Sequence, residues 1–268
     1  MKWLSIWGAV FLSVSSVLAQ TTNGLSNAEI QGRQLAKQLC ETAPTLNLTN
    51  EGTVEIRSAG GLKKNYPIKF ETIVSATNWQ SVYQVIFTHY DNSNNFGDER
   101  EIITVNHTDG GLNNYKRESH FINGMKGDGM MIIEPASGTI GVLPNKRTTA
   151  PFAGSDFWIC DLGLEFFHWP DQKVIKHETR RTRACAVLES TNPDTSADGY
   201  SRVDTWIDNE TLGVVHAEAY DTKGKLLKVF DPKSFKKVNG QWELEDMEIR
   251  NVQTGSRTVI KFDLDSRS

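Results

Sequence analysis

The side chains best suited to chemistry lie in the aromatic stretch Ser155–Trp169, which also carries Asp161, Glu165 and His168. On a helix, at about 100° per residue, these three polar side chains fall within one narrow arc. Glu165 and His168 have the spacing of a di-iron ligand pair, a site that needs a second copy on a facing helix. Since the sequence holds no second copy, we expect no metal and no cofactor. We interpret the arc as the solvent-exposed edge of a helix.

An enzyme acting on an apolar substrate, a hydrolase or an isomerase, is the catalytic alternative. It would use Asp156, Asp161, Glu165 or His168. The chain lacks a Gly-x-Ser-x-Gly nucleophile elbow and a phosphate-binding loop. It also lacks the His-x-x-x-His and Cys-x-x-Cys spacings of metal sites. We therefore expect no catalytic residue and favour a non-enzymatic protein.

The helix that would hold these groups has recognisable ends. Ser155 or Asp156 can cap its start through a side-chain oxygen, and Pro170 ends it, because the residue before a proline avoids the α region. Gly163 costs roughly 1 kcal/mol relative to alanine in a helix interior, so two short helices are the alternative. Most of its surface is Trp, Phe, Leu and Ile, and something must cover that surface.

The N-terminus and the composition restrict the class of protein. Lys2, an apolar run over residues 3–12 and Val17-Leu18-Ala19 predict a secretory signal peptide of residues 1–19, cleaved after Ala19. We therefore expect a periplasmic protein with a single domain over residues 20–268. The net charge of −4 and the lack of a basic block argue against nucleic acid as a partner.

Most of the chain after the first helix has the pattern of β-strands. Ser26 and Glu29 form a capping box that begins a helix reaching Cys40. Tight turns then separate alternating segments at short spacing, which predicts an antiparallel meander that must curl to bury one face. The fold class is therefore mainly β with α, a curved antiparallel sheet. The predicted strands are residues 53–58, 66–74, 79–88, 101–105, 130–133, 138–143, 173–178, 184–190, 200–207, 213–220, 225–230, 242–251 and 257–263, with a polar loop at 91–98 and another strand before Phe121.

Two local features allow more than one interpretation. Cys160 and Cys185 can form a disulfide between the aromatic stretch and the next hairpin, or each can remain a buried thiol. The basic run 176–183 is either a solvated hairpin tip or a phosphate site, and such runs are usually solvated.

Several segments resemble the exported outer-membrane lipoprotein-sorting proteins, which are related to the LolA/LolB lipoprotein carriers. The strongest is Asp156-Phe157-Trp158 followed by residues 161–170, and the likeness runs from about Phe152 to the C-terminus. The other segments that carry it are Leu188-Glu189-Ser190, Tyr200-Ser201-Arg202-Val203, Trp206-Ile207-Asp208, residues 217–221 and residues 233–238.

The resemblance implies an incomplete, half-open antiparallel barrel that helices close. It also implies an apolar cavity that shields the acyl chains of a lipoprotein or lipid in transit, with inner- and outer-membrane transport components as partners. We expect a monomer. The predicted lid residues are Phe157, Trp158, Leu162, Leu164, Phe166, Phe167 and Trp169. The predicted wall residues are Tyr66, Ile68, Phe70, Val85, Phe87, Met130, Ile132, Val203, Leu227 and Val229.

Each of these assignments has a structural alternative. The wall residues can form a dry core, which would make the protein a structural or interaction module. Arg202 can bind a head group or a lid carbonyl through its forked donors, or it can form a cross-strand ion pair. Arg202 and Asp204 flank Val203 on one strand and share the opposite face from it.

Overall fold

A computed structural model describes residues 24–90, 96–108, 112–125, 131–132, 138–142, 148–194, 199–238 and 241–264. The predicted signal peptide 1–19 and Met130 lie outside these ranges.

The described residues form one long helix, two short helical turns and fourteen strands. The helical elements are α1 (Asn27–Glu41), α2 (Ile159–Leu162) and a 3-10 turn (Glu165–His168). The strands are β1 (Leu48–Arg57), β2 (Lys63–Val74), β3 (Asn78–Tyr90), β4 (Phe96–Thr108), β5 (Asn114–Met125), β6 (Met131–Ile132), β7 (Gly138–Val142), β8 (Asp171–Arg180), β9 (Arg183–Thr191), β10 (Tyr200–Asp208), β11 (Val214–Asp221), β12 (Leu226–Val238), β13 (Gln241–Asn251) and β14 (Arg257–Phe262).

All of the described strands belong to one antiparallel sheet, in the order β6-β5-β4-β3-β2-β1-β14-β13-β12-β11-β10-β9-β8, with β7 also paired to β5. Consecutive strands pair with each other from β1 to β6 and again from β8 to β14. β1 also pairs with β14, which joins the first and last strands at the centre of the sheet. Among the described residues, the β5–β7 edge and β8 are not paired with each other. The sheet is therefore an incomplete barrel, as expected.

Helix α1 begins at the predicted capping box. The Ser26 hydroxyl accepts a hydrogen bond from the Glu29 backbone N–H at 3.3 Å, and the Glu29 carboxylate accepts one from the Ser26 N–H at 2.7 Å. The helix packs against β8, where Gly32 lies so close that an added Cβ would be 2.4 Å from the Lys173 backbone nitrogen. The absence of a side chain at residue 32 therefore sets how closely α1 approaches the sheet.

The buried side chains form two main clusters along the concave face. The first lies on β1–β4, β13 and β14 and receives Phe152, Phe157, Ile159 and Leu162. The second lies between α1 and β8–β11 and receives Phe166 and Phe167. Segment 148–170, which joins β7 to β8, therefore packs on both halves of the sheet, and we name it the cover.

The predicted meander is confirmed, and the differences lie at strand ends. The polar loop 91–98 is shorter than predicted, because β4 begins at Phe96, and residues 91–95 lie outside the described ranges. β12 runs past Phe230 to Val238 through Pro232, where its register with β13 shifts. The basic run 176–183 ends β8 and begins β9, so it is a hairpin tip. The three cysteines are free thiols.

Candidate functional site

The cover is two short helical pieces rather than one helix. In α2 the Asp161 carboxylate accepts a hydrogen bond from the Trp158 backbone N–H at 2.8 Å, which caps the start. The piece ends at Gly163, and Leu164 adopts the left-handed conformation with φ 50° before the 3-10 turn. An added Cβ at Gly163 would lie 2.3 Å from the Tyr115 hydroxyl, so only glycine fits there. The two-helix alternative is therefore confirmed.

The polar arc predicted on a single helix is wrong, because the break at Gly163 separates its members. The Asp161 side chain is only 11% exposed, and it accepts a hydrogen bond from the Tyr200 hydroxyl at 2.9 Å. Burial raises the pKa of Glu165 above its ordinary value. His168 lies with its ring nitrogens 3.6 and 3.7 Å from the Cys40 sulfur. These groups face inward rather than forming a solvated edge.

Polar side chains of the sheet hold the cover through its backbone carbonyls. The Tyr83 hydroxyl donates to the Leu162 carbonyl at 3.2 Å, and the Asn113 amide donates to the Gly163 carbonyl at 2.7 Å. The Gln172 amide donates to the Phe166 and Trp169 carbonyls, both at 2.9 Å. At the start of the cover, the buried Glu101 carboxylate accepts from the Ala153 N–H at 2.8 Å. Asp156 bonds the Thr258 hydroxyl, also at 2.9 Å.

A cavity of about 40 Å³ lies where the cover meets the junction of the two core clusters. A volume of this size holds about one water molecule. Small side chains on β11, Ala217 and Ala219, leave the space on the sheet side. The full lining is Tyr83, Phe157, Asp161, Leu162, Leu164, Phe166, Tyr200, Val203, Val214, Ala217, Ala219, Lys228, Phe230, Met247 and Ile249.

The predicted lid residues divide between the cavity and its surroundings. Phe157, Leu162, Leu164 and Phe166 line the cavity. Trp158 stacks on Tyr200 with a centroid distance of 4.6 Å. Phe167 and Trp169 pack in the second core cluster, against α1 and β8–β11.

Among the predicted wall residues, Val203 lines the cavity. Ile68, Phe70 and Val85 are buried within the first core cluster, with Tyr66 and Phe87 packed against it, and Leu227 packs against the second. Met130 is outside the described residues, and Ile132 is described only as a backbone position in β6.

The sequence predicts that Val229 faces the cavity, but the pairing of β12 with its neighbours turns this residue to the opposite face of the sheet. Val229 lies directly opposite Glu218 and Arg250, on the convex face, because directly paired residues share a face. The residues of β12 that line the cavity are instead Lys228 and Phe230. The sequence suggested the opposite because lysine is seldom buried unless it has a partner.

Lys228 has such a partner on the cover. Its ammonium is 3.4 Å from the Asp161 carboxylate, 3.6 Å from the centroid of the Trp158 ring and 5.3 Å from that of Tyr200. The side chain is only 2% exposed. Burial lowers the pKa of Lys228, and the nearby Asp161 carboxylate offsets part of that shift. A lysine and a carboxylate therefore face each other inside a cavity that is lined mainly by apolar side chains.

Arg202 lies on the convex face and does not line the cavity. Its guanidinium is 3.1 Å from Asp204, 3.9 Å from Glu189 and 4.0 Å from the centroid of the Tyr220 ring. Of the two roles considered for it, these contacts correspond to the ion pair.

The four residues of the enzymatic alternative do not converge on one point. Asp156 accepts from the Thr258 hydroxyl of β14, Asp161 accepts from Tyr200, and His168 lies beside Cys40. Only Asp161 of the four lines the cavity. Within the described ranges, no three His, Cys, Asp or Glu side chains are grouped so that they could hold a metal ion.

No helix in the described part of the chain is both long enough and apolar enough to cross a membrane.

No curated protein matches the chain. Several solved structures have similar folds, including three from Desulfovibrio piger, Vibrio parahaemolyticus and Nitrosomonas europaea. A DUF1329 family protein from Desulfovibrio piger is 18% identical, with a TM-score of 0.63, covering 89% of this chain and 92% of that one.

The second is a domain named for outer membrane lipoprotein sorting, from Vibrio parahaemolyticus, which is 18% identical with a TM-score of 0.61, covering 88% of this chain and 91% of that one. The third is a LolA superfamily protein from Nitrosomonas europaea, 13% identical with a TM-score of 0.51, covering 89% of this chain and 92% of that one. At such identities these likenesses establish the fold, which is LolA-like.

A family model described as "Uncharacterized protein" matches residues 119–264, which is more than half of the chain. The protein therefore belongs to that family.

Proposed function

We propose that residues 20–268 form a single carrier domain that shields the acyl chains of lipoproteins or lipids and acts in outer-membrane lipoprotein sorting. The protein would work in the periplasm after cleavage behind Ala19, and membrane transport components would deliver and receive its cargo. The observation that carries the proposal is the cover, which lies over an apolar cavity at the centre of a half-open sheet.

The cover and a cargo chain would compete for the same surface. An acyl chain makes no hydrogen bonds, so its binding depends on apolar area, at about 25 cal/mol per Å² removed from water. The concave face offers that area through Val203, Ala217, Ala219, Phe230 and Ile249. In the closed structure Phe157, Leu162, Leu164 and Phe166 of the cover occupy it.

The cavity of about 40 Å³ is too small for an acyl chain, since small-molecule pockets usually span about 300–1,000 Å³. Loading therefore requires the cover to lift. The way the cover is attached is compatible with this movement. One hydrogen bond each from Tyr83 and Asn113 and two from Gln172 reach its carbonyls, and each of these groups can bond water when the cover leaves.

The second candidate is a periplasmic interaction module whose core is filled by its own side chains. The small cavity favours it, because Phe157 and Phe166 of the cover already occupy space between the cover and the sheet. The two candidates make opposite predictions about ligand binding.

Native mass spectrometry of detergent-free protein, purified from cells, tests the proposal together with titration of a fluorescent fatty acid. We expect a co-purifying lipid and saturable binding. Absence of both would overturn the carrier function and leave the interaction module.

A further inference from the structure

Lys228 and Asp161 form an ion pair whose two members lie on different parts of the site. Lys228 belongs to β12, in the sheet, and Asp161 belongs to α2, in the cover. Within the described ranges, Asp161 is the carboxylate found within ion-pair distance of Lys228, at 3.4 Å. The residues directly opposite Lys228 on the neighbouring strands are Ala219 and Asn251, neither of which carries a charge.

Lifting the cover would separate these charges. Asp161 and the Trp158 ring, which contacts the ammonium at 3.6 Å, would both leave with the cover. Lys228 would keep only the Tyr200 ring and its uncharged neighbours on the sheet. An ammonium on an apolar wall without a counter-charge is costly unless water or an anion reaches it.

We propose that the cavity takes amphiphiles that carry an anionic head group next to an acyl chain, with the head group bound by Lys228 in place of Asp161. The acyl chain then lies along the small residues Val203, Ala217 and Ala219, which line the same cavity. This inference rests on the proposed carrier function and specifies its ligand class. Carboxylate and phosphate head groups share the required chemistry.

The position of Asp161 in the closed structure indicates how the head group would sit. Its carboxylate accepts hydrogen bonds from the Lys228 ammonium at 3.4 Å and from the Tyr200 hydroxyl at 2.9 Å. An incoming carboxylate or phosphate oxygen would find the same two donors on the sheet. A neutral head group would leave the ammonium without a counter-charge, so it binds more weakly. A cationic head group would be repelled.

The test compares four probes with twelve-carbon chains: dodecanoate, dodecyl phosphate, dodecanol and dodecyltrimethylammonium, with acetate and inorganic phosphate as head groups without a long chain. Dissociation constants are measured below micelle-forming concentrations for the full-length mature protein, for Lys228→Met and for Asp161→Asn. Lys261→Met is the matched control, because Lys261 pairs with Glu55 at 2.9 Å on an exposed part of β14.

We expect the wild type to bind dodecanoate or dodecyl phosphate about tenfold or more tightly than dodecanol, as for hydrogen bonds to charged groups. In Lys228→Met, the dissociation constants of the anionic probes and of dodecanol become about equal. In Asp161→Asn, the preference for the anionic probes over dodecanol increases, because the competing carboxylate is gone. The Lys261→Met control keeps the wild-type ratio.

Equal binding of the anionic and neutral probes by the wild type would overturn the head-group assignment and leave the carrier function in place. Binding of acetate or inorganic phosphate alone, as tight as that of the matching dodecyl probe, would also overturn it. If none of the dodecyl probes binds, the carrier function itself fails and the inference falls with it. The wild-type ratio decides the question even if Lys228→Met does not fold.

Discussion

Weakening the attachment of the cover should strengthen ligand binding if the protein is a carrier. Tyr83→Phe removes the hydroxyl that donates to the Leu162 carbonyl at 3.2 Å and leaves the ring in the core. Asn113→Leu removes the donor to the Gly163 carbonyl at 2.7 Å at similar side-chain volume. These two hydrogen bonds to the cover exist only in the closed state. Asn113→Leu also removes the contact of the Asn113 side-chain oxygen with His107 Nδ1 at 3.0 Å, but that contact does not involve the cover, so its loss affects the open and closed states alike.

The size of the effect follows from the hydrogen bonds that are lost. Each contributes about 1 kcal/mol net to the closed state, so the double variant shifts the opening equilibrium by about 2 kcal/mol. When the binding-competent state is a minor population, the apparent dissociation constant is inversely proportional to that population, so it falls as the population rises. About 1.4 kcal/mol corresponds to tenfold, so the double variant should bind roughly 30-fold more tightly.

A fluorescent fatty acid titration measures the affinity, and hydrogen exchange over Ile159–His168 measures opening of the cover. Tyr220→Phe is the matched control, because its hydroxyl bonds Glu218 at 2.8 Å on the convex face. We expect the control to leave both measurements unchanged. Faster exchange of the cover amides with unchanged or weaker binding would refute the competition between cover and cargo.

Three further substitutions test individual contacts by urea denaturation. Burial raises the pKa of Asp204 from 3.8 to about 6, so its protonated form favours the folded state and stability falls as the pH rises through this window. In Asp204→Asn, the free energy of unfolding should fall by roughly 1–2 kcal/mol less over this pH range than in the wild type, after allowing for solvent screening. The same pH profile in both proteins would contradict this. Gly32→Ala should lower the free energy of unfolding by about 1–3 kcal/mol, because its Cβ would be 2.4 Å from the Lys173 backbone nitrogen, and equal stability would disprove that close approach. Gly163→Ala should lower the free energy of unfolding by ~1–3 kcal/mol and speed hydrogen exchange of the cover, because its Cβ would lie 2.3 Å from the Tyr115 hydroxyl. Unchanged hydrogen exchange would contradict this.

The strand architecture could be predicted from sequence because its determinants are local. Alternating apolar residues and turn signals set each strand, and short turns between them allow little besides antiparallel neighbours. The capping box at Ser26 and Glu29 likewise depends on residues three positions apart. The pairing of β1 with β14 joins distant parts of the chain, and it was implied only by the expectation that a long meander must curl.

The inward position of Lys228 could not be predicted, because it depends on a partner far away in sequence. In an alternating strand, a lysine is normally assigned to the solvent side, and that rule pointed Val229 inward. The actual register places Val229 beside Glu218 and Arg250. Only Asp161, which is distant in the chain, makes the buried ammonium tolerable. The sequence does contain one indication that a long side chain could point inward here. Ala217 and Ala219 are two residues apart and small, so they leave room on one face of β11.

The polar and apolar contacts of the cover contribute differently to the closed state. Hydrogen bonds from Tyr83, Asn113 and Gln172 fix where the cover lies, yet each contributes only about 1 kcal/mol net, because water replaces it when the cover lifts. The cover also makes apolar contacts through Phe157, Leu162, Leu164 and Phe166, and under the proposed carrier function an acyl chain would replace these contacts. The Lys228–Asp161 pair belongs to neither group, because a neutral chain bound at the apolar wall would exclude water from the ammonium and offer no carboxylate in its place. It is therefore the contact through which the chemical nature of the cargo would decide whether the cover stays open.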